Sequence, residues 1–215
     1  MKKILVTGFD PFGGESINPA LESIKQLKGW QVGDYQVVIC EIPTVFGLSC
    51  ERLVSAIEET NPDIVICVGQ AGGRPDITVE RVAINVNDAR IPDNENNQPI
   101  DMPVIEGGPV GYWSTLPIKA MVKDMNESGV PASVSQTAGT FVCNHLFYGL
   151  MHYVAQSKRA IRGGFIHIPF LPEQAVRHPG QPHMSMDIIV KGLKVAIESA
   201  IKHDKDLLIA GGQVS

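Results

Sequence analysis

The alternation of apolar and polar positions along this chain changes period several times. Lys3 to Thr7 is a short apolar run closed by Gly8, and Gln36 to Ile42 and Asp63 to Val68 are further runs of strand length. Asp63 to Val68 is continuously apolar, the pattern of a strand covered on both faces. Thr78 to Val86 alternates instead, with Val79, Arg81 and Ala83 on one face and Glu80, Val82 and Ile84 on the other. Ala132 to Ser135 and Gly164 to Ile168 complete the predicted strands. Helical stretches lie between them. Asn18 followed by Pro19 supplies an N-cap and a first-turn proline for a helix to about Leu27. Phe46 to Glu59 is a second helix, and Ser114-Thr115 with Pro117 opens a third to about Ser128. Leu146, Leu150 and Val154, widened by Phe147 and Met151, form the stripe of a fourth, and Ser185 to about Lys202 is the last. Helices between apolar strands predict an α/β fold, a single-domain three-layer α/β/α sandwich on a mainly parallel twisted sheet. We expect one domain over residues 1–215, with a tail over 207–215 that frays or docks on a neighbour.

Two polar loops, Asn87 to Gly111 and Pro169 to His183, are long for a compact domain, and such loops usually carry function or assembly. The chain has 215 residues, 44% hydrophobic, with a formal charge of −5. That length suits one sizeable core. Mild acidity with no Lys/Arg cluster argues against nucleic acid or an anionic membrane as partner. The apolar start MKKILV is broken by Gly8, Asp10 and Pro11, so neither export nor a membrane span is expected. None of Cys40, Cys50, Cys67 and Cys143 forms a CxxC pair. All four read as reduced thiols of a cytoplasmic protein, with Cys67 in strand core.

The stretch AGTFVCNHLFYGLMH carries the most chemistry. Cys143 falls where the fourth helix begins, facing unpaired N–H groups and the positive end of the helix dipole, both of which favour thiolate. A structural cysteine acting as a small hydrophobe is the competing reading. Sites in such sheets form at strand C-terminal ends. There lie GFDPFGG (8–14), GQAGGR (69–74) and HIPFLPE (167–173). His167 is placed to act as base for Cys143, against the alternative of a satisfied core histidine. His145, two residues past Cys143 on the helix, points elsewhere. Glu80 is the carboxylate suited to orient the imidazole, unless it forms an ordinary ion pair with its neighbour Arg81. GFDPFGG is not a Walker sequence, and its two phenylalanines fit the apolar walls of a ligand slot better than a phosphate cradle. A metal site from His178, His183 and Asp187 lacks regular ligand spacing.

Four segments, VTGFDPFGGESINPA, GQAGGRPDITVERVAINVNDARIPDNENNQP, SQTAGTFVCNH and GFIHIPFLPEQ, resemble in this order the pyroglutamyl peptidase I family of cysteine peptidases. The resemblance implies removal of N-terminal pyroglutamate from peptides and proteins. It places the catalytic glutamate at Glu80, the nucleophile at Cys143 and the base at His167, and implies Arg90 as an oxyanion donor beside the Cys143 backbone N–H. It also implies a pocket walled by Phe9, Phe12, Thr44, Ile91, Phe141 and Val142, with Asn18 and Gln70 at its polar edge and Phe9 and Phe12 sandwiching the ring. No metal or organic cofactor is implied, and a homotetramer is. Asn96 stands where the family pattern leads us to expect glycine, and asparagine tolerates the positive φ such a turn needs. Two other readings are a phosphorylase-like enzyme on a similar sheet, with Gly8 to Gly14 or Arg74 holding phosphate, and a non-catalytic binder of pyroglutamyl peptides.

Overall fold

The structure is a computed structural model and describes residues 1–212. Among the described residues, four of the six strand pairings in the main sheet are parallel. The strands β1 (Lys2–Phe9), β3 (Tyr35–Ile42), β4 (Ile64–Gln70) and β9 (Arg162–Ile168) run parallel in the order β3-β1-β4-β9. The two-residue β2 (Gln31–Val32) pairs antiparallel outside β3. Beyond β9 lie β5 (Ile77–Glu80), antiparallel to β9, and β8 (Ala132–Ser135), parallel to β5.

Alternation along the strands sorts side chains into two cores. Ile66, Val68, Val79, Val134, Ile166 and Ile168 face the helices α1 (Pro19–Lys25), α3 (Ile118–Glu127) and α6 (Met186–Lys202). Leu5, Phe9, Val65, Cys67 and Phe165 face α2 (Leu48–Thr60) and α4 (Val142–Gln156). The three layers are those expected. At the β1–α1 step the backbones nearly touch: a Cβ on Gly8 would lie 2.8 Å from the Ala20 carbonyl. Asn18 caps α1 as its spacing predicts, its side chain accepting from the Ala20 N–H at 3.0 Å.

One expectation fails. The alternating stretch from Thr78 to Val86 is not one strand. It breaks at Arg81 into β5 and β6 (Val82–Ile84), and β6 leaves the main sheet to form a hairpin with β7 (Gly111–Trp113). Val79 and Ala83, read as one face, therefore lie in opposite cores. The Arg81 N–H still bonds Ser135 on β8, but its carbonyl accepts from Ser114, which turns the chain outward.

Both long loops are pinned rather than loose. In the first, the Asp93 carboxylate accepts from the backbone N–H groups of Phe46, Glu95 and Asn97, and Asn96 adopts φ +65°. The second contains α5 (Pro172–Ala175), and its Arg177 and His178 both bond Glu15. After α6 the Asp206 carboxylate accepts from the N–H groups of Lys119 and Ala120 at the start of α3, and Arg81 donates to the Gly211 carbonyl. Residues 213–215 of the predicted tail lie outside the described residues. No helix among the described residues is long and apolar enough to cross a membrane.

Candidate active site

Strand alternation brings two of the three candidate catalytic groups, Glu80 and His167, to one face. His167 follows the same parity as Phe165 on β9, and Thr78 and Glu80 share the face of β5 opposite Val79. Gly69 of β4 and Thr78 of β5 both pair with His167 in register, so the imidazole sits between them. Cys143 enters from above as the second residue of α4, whose N-cap is Phe141. Its Sγ rests on Gly69, where an added Cβ would lie 2.9 Å from the sulfur and 2.8 Å from the Phe165 ring. Only glycine leaves the thiol room there.

His167 is 3% exposed and Glu80 fully buried. The His167 Nδ1 lies 2.8 Å from Glu80 Oε1, and an ionised carboxylate only accepts, so the neutral imidazole carries its proton on Nδ1 and its lone pair on Nε2. Burial pushes the Glu80 carboxyl up, but the His167 hydrogen bond and charge, then the Arg74 charge, outweigh it and hold the group below its usual range. The alternative of a strand ion pair with Arg81 is not what forms. Arg74 takes that place: its Nη1 donates to Glu80 Oε1 at 2.6 Å and to Thr78 Oγ1 at 2.5 Å, and its Nη2 to the Thr137 carbonyl at 2.8 Å. A guanidinium so engaged is not a phosphate holder, which removes one support of the phosphorylase reading. Glu80 Oε2 is buried with no hydrogen-bond partner among the described residues.

The thiol behaves differently from the expectation of a helix-end thiolate. Burial pushes Cys143 up to about 12, with the Glu80 charge adding and the Arg74 charge opposing. Cys143 is half-buried with its sulfur resting on Gly69, and that burial opposes the helix terminus. A base is therefore required at the moment of attack. His145 is a structural residue, as its spacing implied. Its Nε2 accepts from the Gly47 N–H and its Nδ1 bonds Asn87 Oδ1, and burial lowers its pKa to about 4.

The remaining predicted residues divide into three groups. Phe12, Arg90, Ile91 and Phe141 line one cavity of about 370 Å³ together with Asp88 and Thr140, which the sequence did not single out. Phe12 lies 6.1 Å from Phe141 between ring centroids, whereas Phe9, the last residue of β1, is buried 6.4 Å from Phe165, so the two phenylalanines have different neighbours. Val142 is buried in the α4 core. Asn18 and Thr44 both bond the Asp10 carbonyl, and the Thr44 N–H bonds the Asp10 carboxylate, which straps the GFDPFGG loop to the chain after β3. Gln70 bonds Gln174 of α5 at 2.9 Å. Arg74 and Gln174 are the supporting residues that sequence reasoning missed. In sequence Arg74 reads as a phosphate holder and Gln174 does not stand out, because their partners lie 6 and 104 positions away.

Residues 2–203 match the family described as Pyroglutamyl peptidase. The chain is 66% identical over 215 residues to the pyrrolidone-carboxylate peptidase of Brevibacillus brevis, covering 100% of both chains, and 64% identical over 212 residues to that of Bacillus cytotoxicus, covering 99% of both. It superposes on the crystal structure of pyroglutamyl peptidase I from Bacillus amyloliquefaciens with a TM-score of 0.95 at 54% identity, covering 97% of this chain and 99% of the other. A mutant pyrrolidone carboxyl peptidase from Pyrococcus furiosus gives 0.90 at 46% identity, covering 93% of this chain and 98% of that one. With the family match spanning nearly all of its length and the expected carboxylate, imidazole and thiol on one face of the sheet, this chain belongs to the pyroglutamyl peptidase family.

Proposed function

We propose that the chain is a cysteine peptidase that removes pyroglutamate from the N-terminus of peptides and proteins, with Cys143 as nucleophile, His167 as general base and acid, and Glu80 as the group that orients the imidazole. The observation that carries this reading is the buried Glu80–His167 hydrogen bond of 2.8 Å on the strand beside Gly69, where Cys143 Sγ lies. His167 Nε2 takes the thiol proton as Sγ adds to the pyroglutamyl carbonyl carbon. The C–N bond then breaks, the same proton passes to the departing amine, and a thioester remains. Water gives a proton to His167 and adds to the thioester, and the sulfur leaves and regains its proton. The thiol's raised pKa fits this order, since the sulfur is ionised only as it reacts.

Oxyanion donors have to be in place before charge develops. The Cys143 backbone N–H sits in the first turn of α4, where helix N–H groups lack intrahelical acceptors. Arg90, exposed at the mouth of the cavity lined by Phe12, Ile91 and Phe141, is the second donor we assign. A pyroglutamyl ring is small, flat and uncharged, so an apolar slot with few hydrogen bonds suits it and an acidic amine-binding site does not. We read residues 1–215 as one catalytic domain because the three reacting groups come from the separated elements β5, α4 and β9, which pack around one sheet. A cytoplasmic homotetramer is the reading the family resemblance supports, and four unpaired cysteines agree with a reducing compartment. Light scattering coupled to gel filtration tests the assembly.

The decisive assay is release of a chromophore from a pyroglutamyl anilide under reducing conditions, with a prolyl anilide as control. We expect turnover of the first alone, abolished by Cys143→Ser and by iodoacetamide. Absence of turnover in reduced, folded wild-type protein overturns the proposal.

A further inference from the structure

Glu80 is anchored at one oxygen only. His167 Nδ1 and Arg74 Nη1 both donate to Oε1, at 2.8 Å and 2.6 Å. Oε2 is buried and has no such donor among the described residues. A buried carboxylate oxygen without a donor is costly, and the carboxyl plane is left free to turn about the one atom that is held. The charged and titratable groups around it already have their places. His167 and Arg74 are committed to Oε1, and Cys143, whose thiol is pushed up by burial and then by the Glu80 charge, gives its proton to His167.

Sheet register supplies a donor. Glu80 of β5 pairs with Ser135 of β8 in a parallel ladder, and Val79 pairs with Val134 one position back. Both valines lie in the core under α3 and α6, so Glu80 and Ser135 share the opposite face, that of Cys143. Residues so paired stand about 4.8 Å apart, whereas Thr78 and Ser133, the next pair on that face, lie about 6.6 Å further along. The Ser135 hydroxyl donates to the Thr137 carbonyl at 3.0 Å, and that carbonyl takes a second donor, Arg74 Nη2, at 2.8 Å. The carbonyl therefore stays bonded when the hydroxyl turns away. Exchanging a carbonyl for a carboxylate gives the hydroxyl a charge-assisted hydrogen bond, about twice as strong as a neutral one. Burial opposes ionisation of Glu80, His167 and Arg74 favour it, and the Ser135 hydroxyl is near enough to add to them.

We propose that Ser135 is a positioning residue for Glu80: its hydroxyl passes from the Thr137 carbonyl to Glu80 Oε2 and keeps Oε1 aimed at His167 while the imidazole carries the thiol proton. The proposal rests on the peptidase reading and adds a member behind the three reacting groups. The Ser135 proton stays on its own oxygen throughout. A donor on Oε2 keeps the carboxylate a weak base, so the Nδ1 proton remains on the ring when the ring is charged. Acting through Glu80, Ser135 should influence kcat and leave KM nearly alone.

Ser135→Ala removes the hydroxyl and little else. With a pyroglutamyl anilide we expect kcat to fall by about tenfold and KM to stay within about twofold of wild type. Glu80 and His167 titrate as a coupled pair, and a carboxylate with one donor fewer holds both its own proton and the imidazole's more tightly. The acid limb of the pH–rate profile should therefore move up by about one pH unit. Ser135→Thr keeps the hydroxyl in a residue suited to a strand, and should recover most of the rate and bring the limb back toward its wild-type position. Ser135→Val has the shape of threonine without the hydroxyl, so the Thr and Val variants carry the comparison if the Ala variant fails to fold. A serine that only supports the turn at Thr137, whose N–H donates to Ser135 Oγ at 3.3 Å, would lower the Tm and leave the limb in place. An unmoved acid limb in the Ala and Val variants, or a Thr variant as impaired as the Val one, would overturn the role of Ser135 alone. Absence of turnover by the folded wild-type protein would instead remove the peptidase reading, and this proposal with it.

Discussion

Gly69→Ala adds one methyl at the point where the site has no space. Its Cβ would stand 2.8 Å from Phe165 Cζ and 2.9 Å from Cys143 Sγ, while ordinary contact begins at 3.4 Å, so the sulfur has to retreat by at least 3.4 − 2.9 = 0.5 Å. Phe165 cannot absorb the whole change, because it is held between Phe9, Phe147 and His167. A misplacement approaching 1 Å costs about a hundredfold in rate, so half of that points to a loss of about 10- to 100-fold in kcat. Expressed as a barrier this is about 1.4–2.7 kcal/mol. Overpacking destabilises the fold separately by about 1–3 kcal/mol, seen as a Tm lower by several degrees. Initial rates on a pyroglutamyl anilide across a range of concentrations should put the loss in kcat with KM little changed. Alkylation of Cys143 by iodoacetamide should slow as well. A variant with lowered Tm but kcat within about twofold of wild type would refute the reasoning, since the ring would then have moved and left the sulfur in place.

Three further outcomes follow from the same geometry. Arg74→Met takes away a cation that offsets the burial of Glu80, so the Glu80 pKa should rise; the acid limb of the pH–rate profile should shift upward and kcat fall by about tenfold or more, with Arg74→Lys intermediate. His145 titrates at about 4 when folded and near 6.5 when unfolded, so the unfolded chain takes up the proton first and stability falls as pH drops between those values. That loss amounts to about 3 kcal/mol, and urea midpoints at the two ends of the window should show it in wild type and little of it in His145→Gln. Asp206→Ala deprives α3 of the carboxylate that accepts from Lys119 and Ala120, which should cost about 1 kcal/mol and lower the Tm by about 2–4 °C while leaving kcat/KM unchanged.

Most elements were legible because their signals are local. Asn18-Pro19 caps α1, the apolar run before Gly69 is β4, and the Leu146–Leu150–Val154 stripe is α4. The break at Arg81 was not, since alternation continues across it and only the distant partners Ser135 and Ser114 turn the chain. Glu80, Cys143 and His167 could be chosen by residue type and position at strand and helix ends. Their supports could not. Arg74 displaces Arg81 as the partner of Glu80 because a side chain from the preceding loop reaches the buried face, whereas that of the next residue along a strand points away from it. The burial that raises the thiol's pKa was not legible for a related reason: a helix terminus is visible in sequence, and what packs around the sulfur is not.

The strand that carries His167 is the last to be made and lies in the interior of the sheet. Before residues 162–168 leave the ribosome, β4 and β5 each present an unpaired edge, and the sheet exists as two halves that still lack α6. Such edges invite aggregation, so the emerging chain should engage chaperones until its final quarter is synthesised. Closing the sheet and delivering the base are one event. A newly made or refolding molecule therefore has no stage at which it is partly assembled and already able to cut the peptides around it.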